Sequence, residues 1–474
     1  MTRAAALLFL FAAVLTATPQ MGQVAAQETR RLPETREQVY LSYAPLVEKT
    51  APSVVNIFAQ KLIKPRGAPP AFGDTALWRL FSDALLFGFG ARERIENSLG
   101  SGVIVRADGI IVTNHHVISD AEGVLVGLAD GRVFPAEILV SDRRTDIAVL
   151  RIETYGEPLP ALEFADSDAL KVGDLLLAIG NPFGVGQTVT SGIVSAVART
   201  GVGISDFRFF IQTDAAINPG NSGGAAVDMT GKLVGINTAI FTRSGGSQGI
   251  GFAVPANMVQ TVAAAAIEDK PLVRPWMGVT GGPVPPQMAA FFGLQGAAGV
   301  FVTGVYEGGP AEQAGLQYGD VIFSLDDKPI GDFQALRYRI ATHLVGDIVE
   351  LGVFRGYHHL AVEVPLVAPP KEPPANETWL PGIHILSGAR VASLSPALAE
   401  DMNLDSALHG VVVLEVRRGS AAARYGLQRG DILRGFNGEA LRTVDDLRAF
   451  TPPAFEGWFM IVNRGGQDFA IEGG

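Results

Sequence analysis

The chain contains no cysteine, which excludes disulfides and thiolate metal sites. Charged residues make up only 18% of it, and the formal net charge is −11. With no Lys/Arg run and no basic patch interleaved with aromatics, it lacks the footprint of a nucleic-acid-binding protein. Histidine is scarce, and no His/Asp/Glu group has metal-ligand spacing; His358-His359 reads as an exposed strand end. No metal or cofactor is expected. Past the N-terminus, no run is long and apolar enough for a membrane span.

Glycine and proline are abundant, with Gly 56 and Pro 29 among 474 residues. That balance predicts many turns between short strands, in a length sufficient for about three domains. At the N-terminus, Arg3 precedes an apolar stretch from Ala4 to Ala17, and Val24-Ala25-Ala26 offers a small-residue cleavage site. Residues 1–26 therefore read as an export signal, with an uncleaved anchor as the alternative.

Asp108-Gly109 and Asp130-Gly131 each separate two apolar runs, a hairpin signal. Dense cues of this kind over residues 36–270 predict a mainly β domain. An insertion at about Lys61 to Asn97 carries Leu77-Trp78-Arg79-Leu80-Phe81 and Leu85-Leu86-Phe87-Gly88-Phe89. Such stretches are costly in water and are expected to cover a site or another subunit. The remainder is a repeat. Gly308 through Ile322 matches Gly419 through Leu433, and Leu336-Arg337 matches Leu447-Arg448 at the same offset. The copies occupy 274–367 and 379–474, and Pro-rich residues 368–378 form a semi-rigid spacer.

One hexapeptide, Pro219-Gly220-Asn221-Ser222-Gly223-Gly224, can expose a hydroxyl while the N–H groups of Gly220 and Ser222 converge on one point. A developing oxyanion would be stabilised there. A serine becomes a nucleophile only with a base, and the base needs an orienting group. Upstream, Thr113-Asn114-His115-His116-Val117 follows a strand-like run. Thr145-Asp146-Ile147-Ala148-Val149-Leu150 sets one acid in another. Only two histidines precede His343, so a base in the same domain must be His115 or His116.

Together these segments resemble the trypsin-like proteases of the HtrA/Deg family. The resemblance implies His116 as base, Asp146 as orienting acid and Ser222 as nucleophile, with Gly220, Asn221 and Ser222 forming the oxyanion hole. His115 stands where the family has a second Asn. The implied fold is a chymotrypsin-like double β-barrel, and the repeats resemble α+β PDZ domains. Trp276-Met277-Gly278-Val279 then matches the loop that captures a peptide C-terminal carboxylate. Its counterpart, Leu380-Pro381-Gly382-Ile383, contains a proline with no N–H to donate, so weak binding is expected there. Ala216 occupies the position of trypsin's pocket-floor acid. With Ile217, Ala239 and Ile240, it implies cleavage after small or aliphatic residues.

Asn221 cannot compensate a buried N-terminal ammonium as an aspartate would, which argues against activation by propeptide removal. Arg199 matches the family's regulatory-loop arginine. The resemblance implies an ATP-independent periplasmic endopeptidase, a homotrimer or higher multiple, acting on unfolded or misfolded polypeptides and their C-termini. A non-proteolytic chaperone or PDZ scaffold on the same fold is the alternative.

Overall fold

The computed structural model describes residues 42–63, 94–119, 121–181, 186–199, 209–218, 220–240, 249–294, 299–382, 384–450 and 457–473. The export signal and most of the insertion, including its two apolar stretches, lie outside them. Six strands close a first barrel in the order β1-β2-β3-β6-β5-β4. They are β1 (Val54–Ile63), β2 (Arg94–Arg106), β3 (Ile110–Asn114), β4 (Gly123–Gly127), β5 (Val133–Asp142) and β6 (Ile147–Ile152). Both Asp-Gly dipeptides turn hairpins. Gly109 N–H donates to Arg106 O, Gly131 N–H donates to Leu128 O, and both glycines have positive φ.

A second barrel closes as β10-β11-β12-β9-β8-β7. Its strands are β7 (Leu175–Gly180), β8 (Thr188–Arg199), β9 (Phe210–Thr213), β10 (Ala225–Val227), β11 (Leu233–Ile240) and β12 (Gly251–Pro255). Branched side chains fill the two interiors, among them Val55, Ile57, Ile104 and Ile111 in the first and Leu176, Val194, Ile211 and Val234 in the second. Beta-branched residues pack well on a pleated surface. Helix α1 (Ala256–Ile267) follows the second barrel and buries Met258, Val259 and Val262. Among the described residues, no helix is long and apolar enough to cross a membrane.

Two smaller sheets follow. The first contains β13 (Val279–Gly282), β14 (Val300–Val305), β15 (Val321–Leu325), β17 (Ile348–Arg355) and β18 (His358–Pro365), with β16 (Lys328–Pro329) paired to β15. Its helix α2 (Phe333–Ala341) is capped by Asp332, whose side chain accepts from Ala335 N–H. The second is ordered β19 (Thr378–Trp379), β20 (Ala389–Ser393), β21 (Val411–Val416), β22 (Ile432–Phe436), β24 (Trp458–Arg464), β25 (Gln467–Gly473), with β23 (Glu439–Ala440) on β22. Helix α3 (Pro396–Asp401) belongs to it. The repeat extends to buried chemistry. Asp320 is gripped by Arg355 and Asp431 by Arg464, each arginine also reaching the carbonyl of the matching glycine, Gly315 or Gly426.

Candidate active site

The site forms where the two barrels meet. β3 ends at Asn114, and His115–Ile118 makes a helical turn. Asp146, just ahead of β6, has φ +59 and is 5% exposed. An aspartate tolerates that left-handed conformation at a modest cost. Its carbonyl accepts from His115 N–H and the Asn114 amide, at 3.0 and 2.9 Å. One carboxylate oxygen accepts from His116 N–H at 3.0 Å, and the other lies 2.8 Å from His116 Nδ1. A carboxylate at Nδ1 selects the Nδ1–H tautomer and leaves Nε2 as the accepting nitrogen. The neighbouring ring turns elsewhere: His115 Nδ1 meets Ser141 Oγ at 2.8 Å.

Thr238, on β11, joins this pair to the serine. Its hydroxyl donates to Asp146 at 2.5 Å, and its carbonyl accepts from Ser222 Oγ at 2.8 Å. Glycine is required beside Ser222. Gly223 has φ +83, and a Cβ there would lie 2.0 Å from the Ser101 carbonyl oxygen. Asn221 N–H donates to Asn218 O. It is thereby committed to the turn, whereas no described residue accepts from Gly220 or Ser222 N–H. Asn221 is 1% exposed, and its side-chain amide has no partner among the described residues.

Around the expected pocket, Ala216 is half-buried and its carbonyl accepts from Thr190 Oγ1. Ile217 is fully buried in the second barrel's core. The side chains of Ala239, Ile240 and Arg199 lie outside the described residues, although the backbone of Arg199 ends β8 opposite Phe210. Two residues that sequence reasoning missed support the site. Thr238 precedes the pocket residues Ala239 and Ile240 on β11 and carries no local motif of its own. Asp142 accepts from Thr145 N–H and Oγ1, ordering the turn before Asp146, and also from Arg274 at 2.6 Å.

A second locus surrounds Trp276-Met277-Gly278-Val279. The carbonyls of Trp276, Met277 and Gly278 accept from Val367, Ala311 and Tyr306 N–H groups. Gly278 has φ +79. Successive N–H groups in such a turn make an anion-binding concavity. β13 is an edge strand, open to strand addition. Between this loop, α2 and residues 400–406 lies a cavity of about 170 Å³. Trp276 Nε1–H donates to Ser406 Oγ at 2.9 Å, and Glu400 pairs with Arg144 and Arg337. In the other repeat the corresponding loop folds on itself. His384 Nε2 meets Pro381 O, and Ser387 Oγ donates to Gly382 O.

A buried aspartate bonded to an exposed histidine, and joined through one threonine to a serine turn on two six-stranded barrels, defines a trypsin-like serine peptidase. Comparison with known proteins agrees: a trypsin-like peptidase domain matches residues 100–236, and PDZ domains match 273–366 and 412–451. The chain is 39% identical over 442 residues to the periplasmic serine endoprotease DegP of Salmonella typhimurium, covering 89% of each chain. It is 39% identical over 413 residues to the periplasmic pH-dependent serine endoprotease DegQ of Escherichia coli, covering 86% of each. The solved structure of the HtrA-type protease AlgW with a tripeptide is similar at 41% identity and a TM-score of 0.52, covering 70% of this chain and 99% of that one. The chain belongs to the DegP/DegQ family of HtrA-type proteases and is a serine endopeptidase.

Proposed function

We propose that Ser222, His116 and Asp146 carry an acyl-enzyme mechanism. Ser222 Oγ attacks the scissile carbonyl while His116 Nε2 takes its proton, and the Asp146 carboxylate stabilises the imidazolium through Nδ1–H. The Gly220 and Ser222 N–H groups stabilise the oxyanion. His116 then protonates the leaving amine, and water, activated by the same imidazole, releases the acyl group. Ser222 must first turn its hydroxyl from the Thr238 carbonyl toward Nε2. The observation that carries the reading is the double grip of Asp146 on His116, through its backbone N–H and Nδ1.

Ala216, Ile217, Ala239 and Ile240 set an uncharged pocket that favours small or aliphatic residues. The substrates are unfolded or misfolded polypeptides of the periplasm, reached by export and cleaved without ATP by a trimer or a multiple of it. Peptide C-termini dock at Trp276-Met277-Gly278-Val279, and Arg199 helps to relay their presence to the oxyanion hole. Casein digestion by the mature protein tests this reading. Fragments ending in Val, Ala or similar residues are expected from wild type, and none from Ser222→Ala. Equal digestion by both, or cutting mainly after Lys, Arg or Phe, would refute it.

A further inference from the structure

We infer that Ser101 is a positioning residue of this reaction, a first-barrel hydroxyl that locks the nucleophile turn of the second barrel in its oxyanion-binding shape. The inference rests on the triad and hole proposed above. Ser101 lies on β2 and is fully buried. Its Oγ donates to the Gly220 carbonyl at 2.6 Å and accepts from Asn181 N–H at 2.8 Å. Its own N–H donates to the Ser222 carbonyl at 2.8 Å, and its carbonyl accepts from Thr113 Oγ1 at 2.7 Å. One residue thus holds the carbonyls of the two residues on either side of Asn221, and ties them to the end of β7.

The planarity of the peptide unit turns those bonds into aim, because each N–H points opposite the preceding carbonyl. Asn221 C=O is held by Gly224 N–H, which fixes the direction of Ser222 N–H. Gly220 C=O, held by Ser101 Oγ, sends Asn221 N–H toward Asn218 O, where it bonds at 3.0 Å. Gly220 itself sits at φ +102, in a region where glycine rotates with little resistance. The side-chain anchor at its carbonyl is the Ser101 hydroxyl. Without it the 220–221 peptide can swing about the Gly220 Cα, and Gly220, whose N–H is half of the hole, is no longer pinned in place from that side. The Asp146–His116 pair makes no contact with that hydroxyl.

The test uses the full-length mature protein with Ser101→Ala, Ser101→Cys and Ser222→Ala. For Ser101→Ala, kcat on a chromogenic peptide is expected to fall about 10- to 100-fold, as for a misplaced catalytic group, while KM stays within about threefold. A peptide aldehyde, whose hemiacetal oxyanion needs the hole, should lose affinity by a similar factor. The same peptide without the aldehyde should bind unchanged, and the acid limb of the pH–rate profile should not move. Ser101→Cys keeps the volume with a weaker donor and should fall between; if Ser101→Ala does not fold, the cysteine variant carries the comparison alone. Wild-type kcat in the folded variants, or equal losses for aldehyde and plain peptide, would overturn the inference. Full turnover by Ser222→Ala would instead remove the triad reading on which it stands.

Discussion

Tyr338, on α2, lies face to face with Phe209, ring centroids 3.8 Å apart and planes within 9°. Phe209 leads directly into β9, whose Phe210 pairs with Arg199 at the end of β8. The stack therefore joins the helix beside the proposed peptide groove to the strand ends next to the proposed regulatory residue. Ala335, Tyr338 and Ala341 share one core with Met258, Val259 and Val262 of α1. Burial pushes the Tyr338 phenol well above its ordinary value, so the ring stays neutral at any working pH. If C-terminal peptides stimulate cleavage, their differential binding must pass through such a packed element. Tyr338→Ala is expected to bring the stimulated-to-basal rate ratio close to one, with peptide affinity changed less than about fivefold. Tyr338→Phe keeps the stack and should keep the ratio. Undiminished stimulation in the alanine variant refutes the route.

The adjacent histidines make a sharper test. His116 faces Asp146 with both its backbone and its ring, whereas His115 Nδ1 is engaged by Ser141. His116→Ala is expected to lower kcat by about 10⁴-fold or more, as loss of a triad base does elsewhere. His115→Asn should keep most of the activity. Steady-state rates on one chromogenic peptide decide it, and the reverse pattern would exchange the roles.

The two residues also mark what was legible in the chain. Hairpins, repeats and the three site segments announce themselves locally, because Asp-Gly turns, glycine positions and apolar runs carry short-range constraints. Thr238 and Ser101 carry no such mark. Each matters through one hydroxyl meeting a partner 92 or 119 residues away in the chain, a proximity created only by closure of the barrels. Asp142 was equally silent. Its role depends on Arg274, which comes after the second barrel and 132 residues away in the chain.

Asp142 gives a pH-dependent prediction. Burial alone would raise its carboxyl; the Arg274 charge, the Thr145 hydroxyl and the Arg144 N–H more than offset this and hold it below the ordinary value of 3.8. A carboxyl depressed on folding contributes stability that is fully present above the unfolded value and is lost as pH falls through the folded one. Asp142→Asn removes the charge facing a buried guanidinium, at an expected cost of about 3 kcal/mol. The difference in unfolding free energy from wild type should be flat from pH 8 to 5 and shrink below about pH 4. Urea titrations across that range measure it. A difference that grows on acidification would contradict the ion pair as its source.

Glu400 sits beside the loop of the first PDZ domain proposed to bind peptide C-termini. Its carboxylate meets Arg144 at 3.1 Å and Arg337 at 3.5 Å, and Ser406 accepts the Trp276 indole N–H. These contacts draw residues 400–406 of the second PDZ domain across the cavity that a C-terminal residue would enter. A site that is open only part of the time binds more weakly by the fraction open. Glu400→Ala together with Ser406→Ala should therefore tighten binding of a C-terminal peptide, by about 20- to 50-fold if the open fraction in wild type is only a few per cent. Gly278→Val should act in the opposite direction in either background. A Cβ at 278 falls 2.9 Å from the Trp276 ring, and φ +79 disfavours a branched residue. A loss of about tenfold or more is expected, with basal cleavage of a short substrate nearly unchanged. Fluorescence anisotropy with a labelled peptide reads both effects. Equal affinity in wild type and the Glu400 variant would mean that the second PDZ domain does not obstruct the groove, and full affinity in the Gly278 variant would move the carboxylate site elsewhere.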